Sequence, residues 1–127
     1  MKKVLTIALF LLAGLAIAQD PTTDKAVKAL QGGDAKGLAA LFADNVDLKM
    51  TDIDDIFSKD QAEQIIKKFF EKNPAKSFKL VNSGETTLGL IYRIGELETG
   101  GGKYKVDMKL KKIGDGYVIS ILEMEKM

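Results

Sequence analysis

Residues 58–80, SKDQAEQIIKKFFEKNPAKSFKL, decide how this chain is read. Ser58 and Gln61 stand at capping-box spacing: the serine hydroxyl takes the Gln61 amide, and the glutamine side chain reaches back to the Ser58 amide. Ala62, Ile65, Ile66, Phe69 and Phe70 then recur at helical spacing, which predicts an amphipathic helix with one apolar face. Asn73-Pro74 ends it, because the residue before a proline is pushed out of helical geometry. From Ser77 the apolar period falls to two, as in a strand. A long helix is therefore delivered directly onto a sheet.

The rest of the chain downstream keeps the period of two. In TTLGLIYRIGELET, residues 86–99, Leu88, Leu90, Tyr92 and Ile94 alternate. In KYKVDMKLKK, residues 103–112, Tyr104, Val106, Met108 and Leu110 alternate with Lys103, Lys105, Asp107, Lys109 and Lys111. That is the clearest half-buried strand in the sequence. YVISILEMEK, residues 117–126, follows. Gly100-Gly101 and Gly114-Asp115 read as two-residue hairpin turns. A turn at Gly100-Gly101 sets Glu98 opposite Lys103, Leu97 opposite Tyr104 and Glu96 opposite Lys105, so opposite charges meet outside and apolar groups inside. Keeping Tyr92 and Ile94 on the same face as Leu97 requires an extra residue at Gly95, where a bulge is expected. A second bulge is expected near Ser120-Ile121-Leu122, where the apolar parity switches.

Upstream, Thr22 or Thr23 is expected to cap a first helix carrying Ala26, Val27 and Leu30 on one face. Gly32-Gly33 stops it, and Asp34 caps a short second helix with Leu38, Leu41 and Phe42. A strand at Asn45–Met50 follows, then a turn over residues 51–55, then a short strand segment at residues 56–58. The element order is two helices, a short hairpin, one long helix and four strands. This predicts an α+β fold in which three N-terminal helices cover a strongly twisted, mainly antiparallel sheet.

The first 20 residues, MKKVLTIALFLLAGLAIAQD, have a basic start at Lys2-Lys3, an apolar run over residues 4–15 and a small-x-small site at Ala16-Ile17-Ala18. That pattern is a secretory signal peptide, residues 1–18. The apolar run is shorter than the ~20 residues that span a bilayer, so no membrane anchor is expected after cleavage. An exported location, periplasmic or extracellular, is expected, with residues 19–127 as a single domain. Of 19 basic and 18 acidic residues, the leader carries two basic ones, leaving 17 against 18. Such a balance points to no nucleic-acid partner. With no Cys, stability must come from burial rather than disulfides; with no His or Cys, the usual zinc, copper and haem ligands are missing and no cofactor is expected.

The stretches GDAKGLAALFADNVDL (33–48), SKDQAEQIIKKFFEKNPAKSFKL (58–80) and GYVISILEME (116–125) resemble an uncharacterised family of small secreted bacterial domains, domain of unknown function family 4783, within the NTF2-like (cystatin-like) superfamily. The FFEKNP ending of the long helix is the most specific part. The resemblance implies a cone-shaped NTF2-like fold and export. It implies no activity, and no catalytic residue is carried over.

NTF2-like enzymes, as a class, place Asp, His or Tyr inside the cone. Here Asp47 lies between inward Val46 and Leu48, and Asp107 between inward Val106 and Met108, so the pleat turns both carboxylates outward. Residues 52–63 offer Asp52, Asp54, Ser58, Asp60 and Glu63 at calcium-loop positions, but Phe57 occupies the place of the obligatory glycine. TGGGKY, residues 99–104, lacks the Ser/Thr and the following helix of a phosphate loop and reads as a hairpin. The lysine row on residues 103–111 reads as a solvated face neutralised by Glu96, Glu98, Asp107, Glu123 and Glu125. A charged outer sheet face favours a monomer or a weak dimer.

These readings favour a non-catalytic binding domain that holds a small apolar ligand or a peptide between the long helix and the sheet. The candidate lining is Phe69, Phe70, Tyr92, Tyr104, Met108 and Met124, with plain core packing as the simpler alternative for all six. A protein–protein module of the cell envelope is the second reading, and an isomerase- or cyclase-type enzyme the third.

Overall fold

A computed structural model describes residues 20–127; the signal peptide expected at residues 1–18 lies outside the described residues. Helix α1 spans Pro21–Gly32 and is capped by Asp20, not by Thr22 or Thr23. Pro21 explains the shift: its fixed φ and missing N–H suit the first helical position, which leaves Asp20 as the cap. Asp20 Oδ1 accepts the Thr23 amide at 2.8 Å, and the Thr23 hydroxyl donates to Oδ2 at 2.6 Å. Gly33 closes the helix in the left-handed region, φ 63°, where glycine carries no Cβ penalty. Helix α2, Ala35–Ala39, is capped by Asp34 as expected.

Strands β1, Phe42–Met50, and β2, Ile53–Ser58, form a hairpin whose turn is only Thr51-Asp52. The expected five-residue turn is thus too long. Residues 53–55 join the edge strand, where Asp54 and Asp55 are exposed and discourage edge-to-edge pairing. Helix α3, Lys59–Lys72, has the full capping box, and Asn73 ends it outside the helical region, at φ −129° and ψ 77°. Ala62, Ile66 and Phe70 are its buried residues; Ile65 and Phe69 lie half-buried on the flank.

Strands β3 (Ala75–Glu85), β4 (Ile91–Thr99), β5 (Gly102–Ile113) and β6 (Gly116–Lys126) complete a six-stranded sheet of order β2-β1-β6-β5-β4-β3. Every neighbouring pair is antiparallel except β1 with β6. The core lies between the helices and one sheet face. Leu30, Leu38 and Ile66 meet Val46, Leu48, Leu97, Val106, Met108, Leu110 and Leu122 there, all fully or almost fully buried.

The central hairpin has the expected register: Glu98 faces Lys103, Leu97 faces Tyr104 and Glu96 faces Lys105. The bulge near Ser120 is also present, between the Lys109–Ile121 and Leu110–Ile119 pairs. The bulge expected in β4 at Gly95 is not. Pairing of β4 with β5 runs unbroken from Thr99 to Ile91, so Ile91, Arg93, Gly95 and Leu97 share the inner face, while Tyr92 and Ile94 face outward. The extra residue is carried instead by β3, between Leu80 and Asn82. Gly95 serves packing: a Cβ there would strike the Phe78 ring and stand 2.7 Å from the Lys79 carbonyl. Leu88, expected in the strand, is 86% exposed in the β3–β4 turn.

Arg93 therefore enters the inner face, where an unpartnered cation would be costly. It ends on α1. Its Nη2 lies 3.1 Å from Asp20 Oδ2, its Nε donates to the Thr23 hydroxyl at 3.1 Å, and its Nη1 donates to the Tyr92 carbonyl. Burial alone would raise the Asp20 pKa. The Thr23 hydrogen bonds and the Arg93 guanidinium more than offset it and hold the carboxyl below the usual carboxylate range.

Candidate functional site: the cavity beside helix α3

Four of the residues that follow helical spacing on one flank of α3 are Ile65, Lys68, Phe69 and Lys72, at i, i+3, i+4 and i+7. They form one wall of an open cavity of 410 Å³. Met50 and the Thr51-Asp52 turn of the first hairpin form the facing wall, and Tyr104 and Met124 the floor on the sheet. The volume lies in the range of small-molecule sites.

The aromatic groups are held in fixed geometry. The Phe69 ring meets the Tyr104 ring edge-to-face, centroids 4.9 Å apart, and meets Phe70 similarly at 5.3 Å. Such T-shaped pairs are favoured by the ring quadrupoles. The Tyr104 hydroxyl donates to Asn73 Oδ1 over a long 3.4 Å, while Asn73 Nδ2 donates to the Phe69 carbonyl at 3.0 Å. The β4–β5 turn is drawn onto the same corner. The Gly100 amide donates to the Pro74 carbonyl at 2.9 Å, and a Cβ on Gly101 would strike Asn73 Oδ1. Glycine at this turn thus permits close approach; the positive φ lies one residue later, at Gly102.

Three of the six residues picked from the sequence come together here: Phe69, Tyr104 and Met124. Phe70 and Met108 belong to the packed core and do not line the cavity, whereas Tyr104 and Met124, 8% and 2% exposed, reach it from the core. Tyr92 is on the opposite face of the sheet, its ring lying over Gly84 of β3. Ile65, Lys68, Lys72 and Asn73 were not among the candidates; the flank periodicity of α3 was the signal that could have found them. Asp47 pairs between Ile56 and Ile121 on the outer face, away from the cavity. Asp107 is also outward, 3.4 Å from Lys109 Nζ. Among the described residues no group of three or more Asp or Glu could hold a metal ion.

A family model described as "Domain of unknown function (DUF4783)" matches residues 23–125. The chain belongs to the DUF4783 family. A solved family member from Bacteroides ovatus shares 25% identity at a TM-score of 0.76, with 81% of this chain and 93% of that one covered. A second, from Bacteroides uniformis, shares 25% identity at 0.76, covering 82% and 95%. A Nostoc punctiforme domain of unknown function with a cystatin-like fold shares 13% identity at 0.65, covering 84% and 73%, which shows likeness of fold alone. No curated protein matches. The fold is thus the NTF2-like (cystatin-like) one expected, an α+β arrangement of helices on a six-stranded sheet.

Proposed function

We propose that this DUF4783 protein is an exported, non-catalytic binding domain. Its sheet curls round three helices as a cone, and a small apolar ligand or a peptide is held at the mouth between α3 and the sheet. One observation carries this reading: the cavity of 410 Å³ is walled by the half-buried Phe69 edge-on to Tyr104, beside Met124. The partly exposed Phe69 ring offers apolar area in a concave site, over a floor of Tyr104 and Met124 that is itself almost fully buried. The leader-like pattern of residues 1–18 supports export. Titration with the neutral apolar fluorophore N-phenyl-1-naphthylamine tests the binding reading. Saturable binding that is lost in Phe69→Ala and kept in Tyr92→Ala is expected. Absence of saturable binding, or equal loss in both variants, would sink it.

A protein–protein module of the cell envelope is the second reading, favoured by the outward position of Tyr92 and Ile94. With Ile121 and the 65%-exposed Ile56, they interleave apolar groups among the charges of the outer face. That pattern suits a weak dimer or transient partner better than an obligate interface. Sedimentation velocity over a wide concentration range tests it: mass action towards a dimer that is lost in Tyr92→Ser/Ile94→Ser is expected if this face self-associates.

A further inference from the structure

The cavity's apolar wall is bordered by a pair of like charges. Lys68 and Lys72 are one helical turn apart on the cavity flank of α3, both exposed, and neither enters an ion pair among the described residues. Like charges at i and i+4 repel each other, although Lys72, in the last turn of α3, is favoured by the helix dipole. Asp52, on the facing turn, is the carboxylate of the same cavity. On the α3 side of this lining the two ammonium groups face no carboxylate; Asp52 stands opposite, and Asp54, Glu123 and Glu125 lie with Lys49 and Lys126 in the adjoining opening past Met50 and Met124.

We propose that the ligand is an amphipathic monocarboxylate, a medium-chain fatty acid, with its carboxylate between Lys68 and Lys72 and its alkyl chain along Phe69, Tyr104 and Met124. The proposal rests on the cavity being a binding site and adds the chemistry of its occupant. A single carboxylate head fits between the two ammonium groups on the α3 side of the opening. Charge-assisted hydrogen bonds to two ammonium groups hold the head and relieve their mutual repulsion. The Asp52 carboxylate keeps the head away from the opposite lip, which fixes the orientation of the chain.

Isothermal titration calorimetry at neutral pH tests this with decanoate, decan-1-ol and acetate. Decanoate should bind the wild type, decan-1-ol about tenfold more weakly, and acetate not measurably, since losing the contacts to both exposed ammonium groups together corresponds to about a decade in affinity. Lys68→Gln/Lys72→Gln should reduce decanoate affinity about tenfold and decan-1-ol affinity by far less, since the alcohol makes no charge-assisted contact. Glutamine keeps helix propensity at exposed positions, and circular dichroism confirms that the variant folds. Asp52→Asn should strengthen decanoate binding. The proposal is overturned if decan-1-ol binds the wild type as tightly as decanoate, or if the double variant retains decanoate affinity. Either result leaves the apolar site standing, whereas failure of both decanoate and decan-1-ol to bind removes the site along with its ligand.

Discussion

Helix α1 meets the sheet through apolar packing and a largely buried ion pair, and helix α3 meets it partly across an open cavity. At α1, Asp20 and Arg93 are 11% and 12% exposed in their side chains, and Thr23 between them is fully buried. At α3, the inner edge is closed by Ile66 and Phe70, but Phe69 is left half-buried against Tyr104. Polar groups close the α1 side because each is satisfied by the others. Apolar groups leave the α3 side open because the β1–β2 turn stands away from the helix. Mutually satisfied polar groups thus lie at one end and concave surface at the other.

The contrast is tested most severely by Phe70→Ala. A ring this well buried should cost about 3–5 kcal/mol, read as a fall in the urea midpoint. A loss near that expected for a half-exposed ring would mean that α3 is rotated from the position described.

Arg93→Met attacks the closed end. It leaves the Asp20 carboxylate without its cation in a poorly hydrated place, at a cost of about 2–3 kcal/mol. The pH dependence gives a sharper reading. The folded pKa of Asp20 is lowered, so its contribution is complete above the ordinary aspartate value and is lost as pH falls through the lowered folded value. The stability gap between wild type and Asp20→Asn should therefore be widest at neutral pH and shrink in acid. A gap that stays constant or widens on acidification would show that the ion pair does not hold α1.

Gly95→Ala probes the inner face that Arg93 shares. The added methyl meets the Phe78 ring and the Lys79 backbone, which should cost about 1–2 kcal/mol through overpacking. If thermal melts show no loss, Gly95 would be at a bulge with open space and Arg93 would be turned outward.

Phe69→Ala belongs to the open end. Part of its surface is already exposed to water, so the expected loss is about 1–2 kcal/mol, roughly one aromatic contact plus the remaining buried area. The sequence pattern taken alone would put Phe69 at the centre of the helix face and make it as costly as Phe70. A near-equal loss for the two phenylalanines would erase the distinction between the ends.

The smallest effect is expected from Asp47→Asn, on the outer face and remote from both ends. It should stay within about 0.5 kcal/mol. A larger shift in the denaturation midpoint would give Asp47 a structural role that its pairing between Ile56 and Ile121 does not suggest.

The sequence alone determined what is local or strictly periodic. The α3 capping box, its proline-marked end, the alternation in β5, the Gly100-Gly101 hairpin register and the bulge at Ser120 all follow from neighbouring residues or from charges that must face one another. Only the tertiary structure decided the inner face of β4. Alternation from Tyr92 through Ile94 is apolar, so pattern reasoning turns those residues inward and expels Arg93. In the folded chain the unbroken ladder to β5 fixes parity, β3 absorbs the extra residue, and Asp20, more than seventy positions away, supplies the partner that lets an arginine be buried. The cavity has the same origin. Phe69 and Phe70 are adjacent and chemically identical, and their different exposure depends on how far the β1–β2 turn and Tyr104 stand from α3. Such a distance between elements remote in sequence leaves no trace in the spacing of residues along either one.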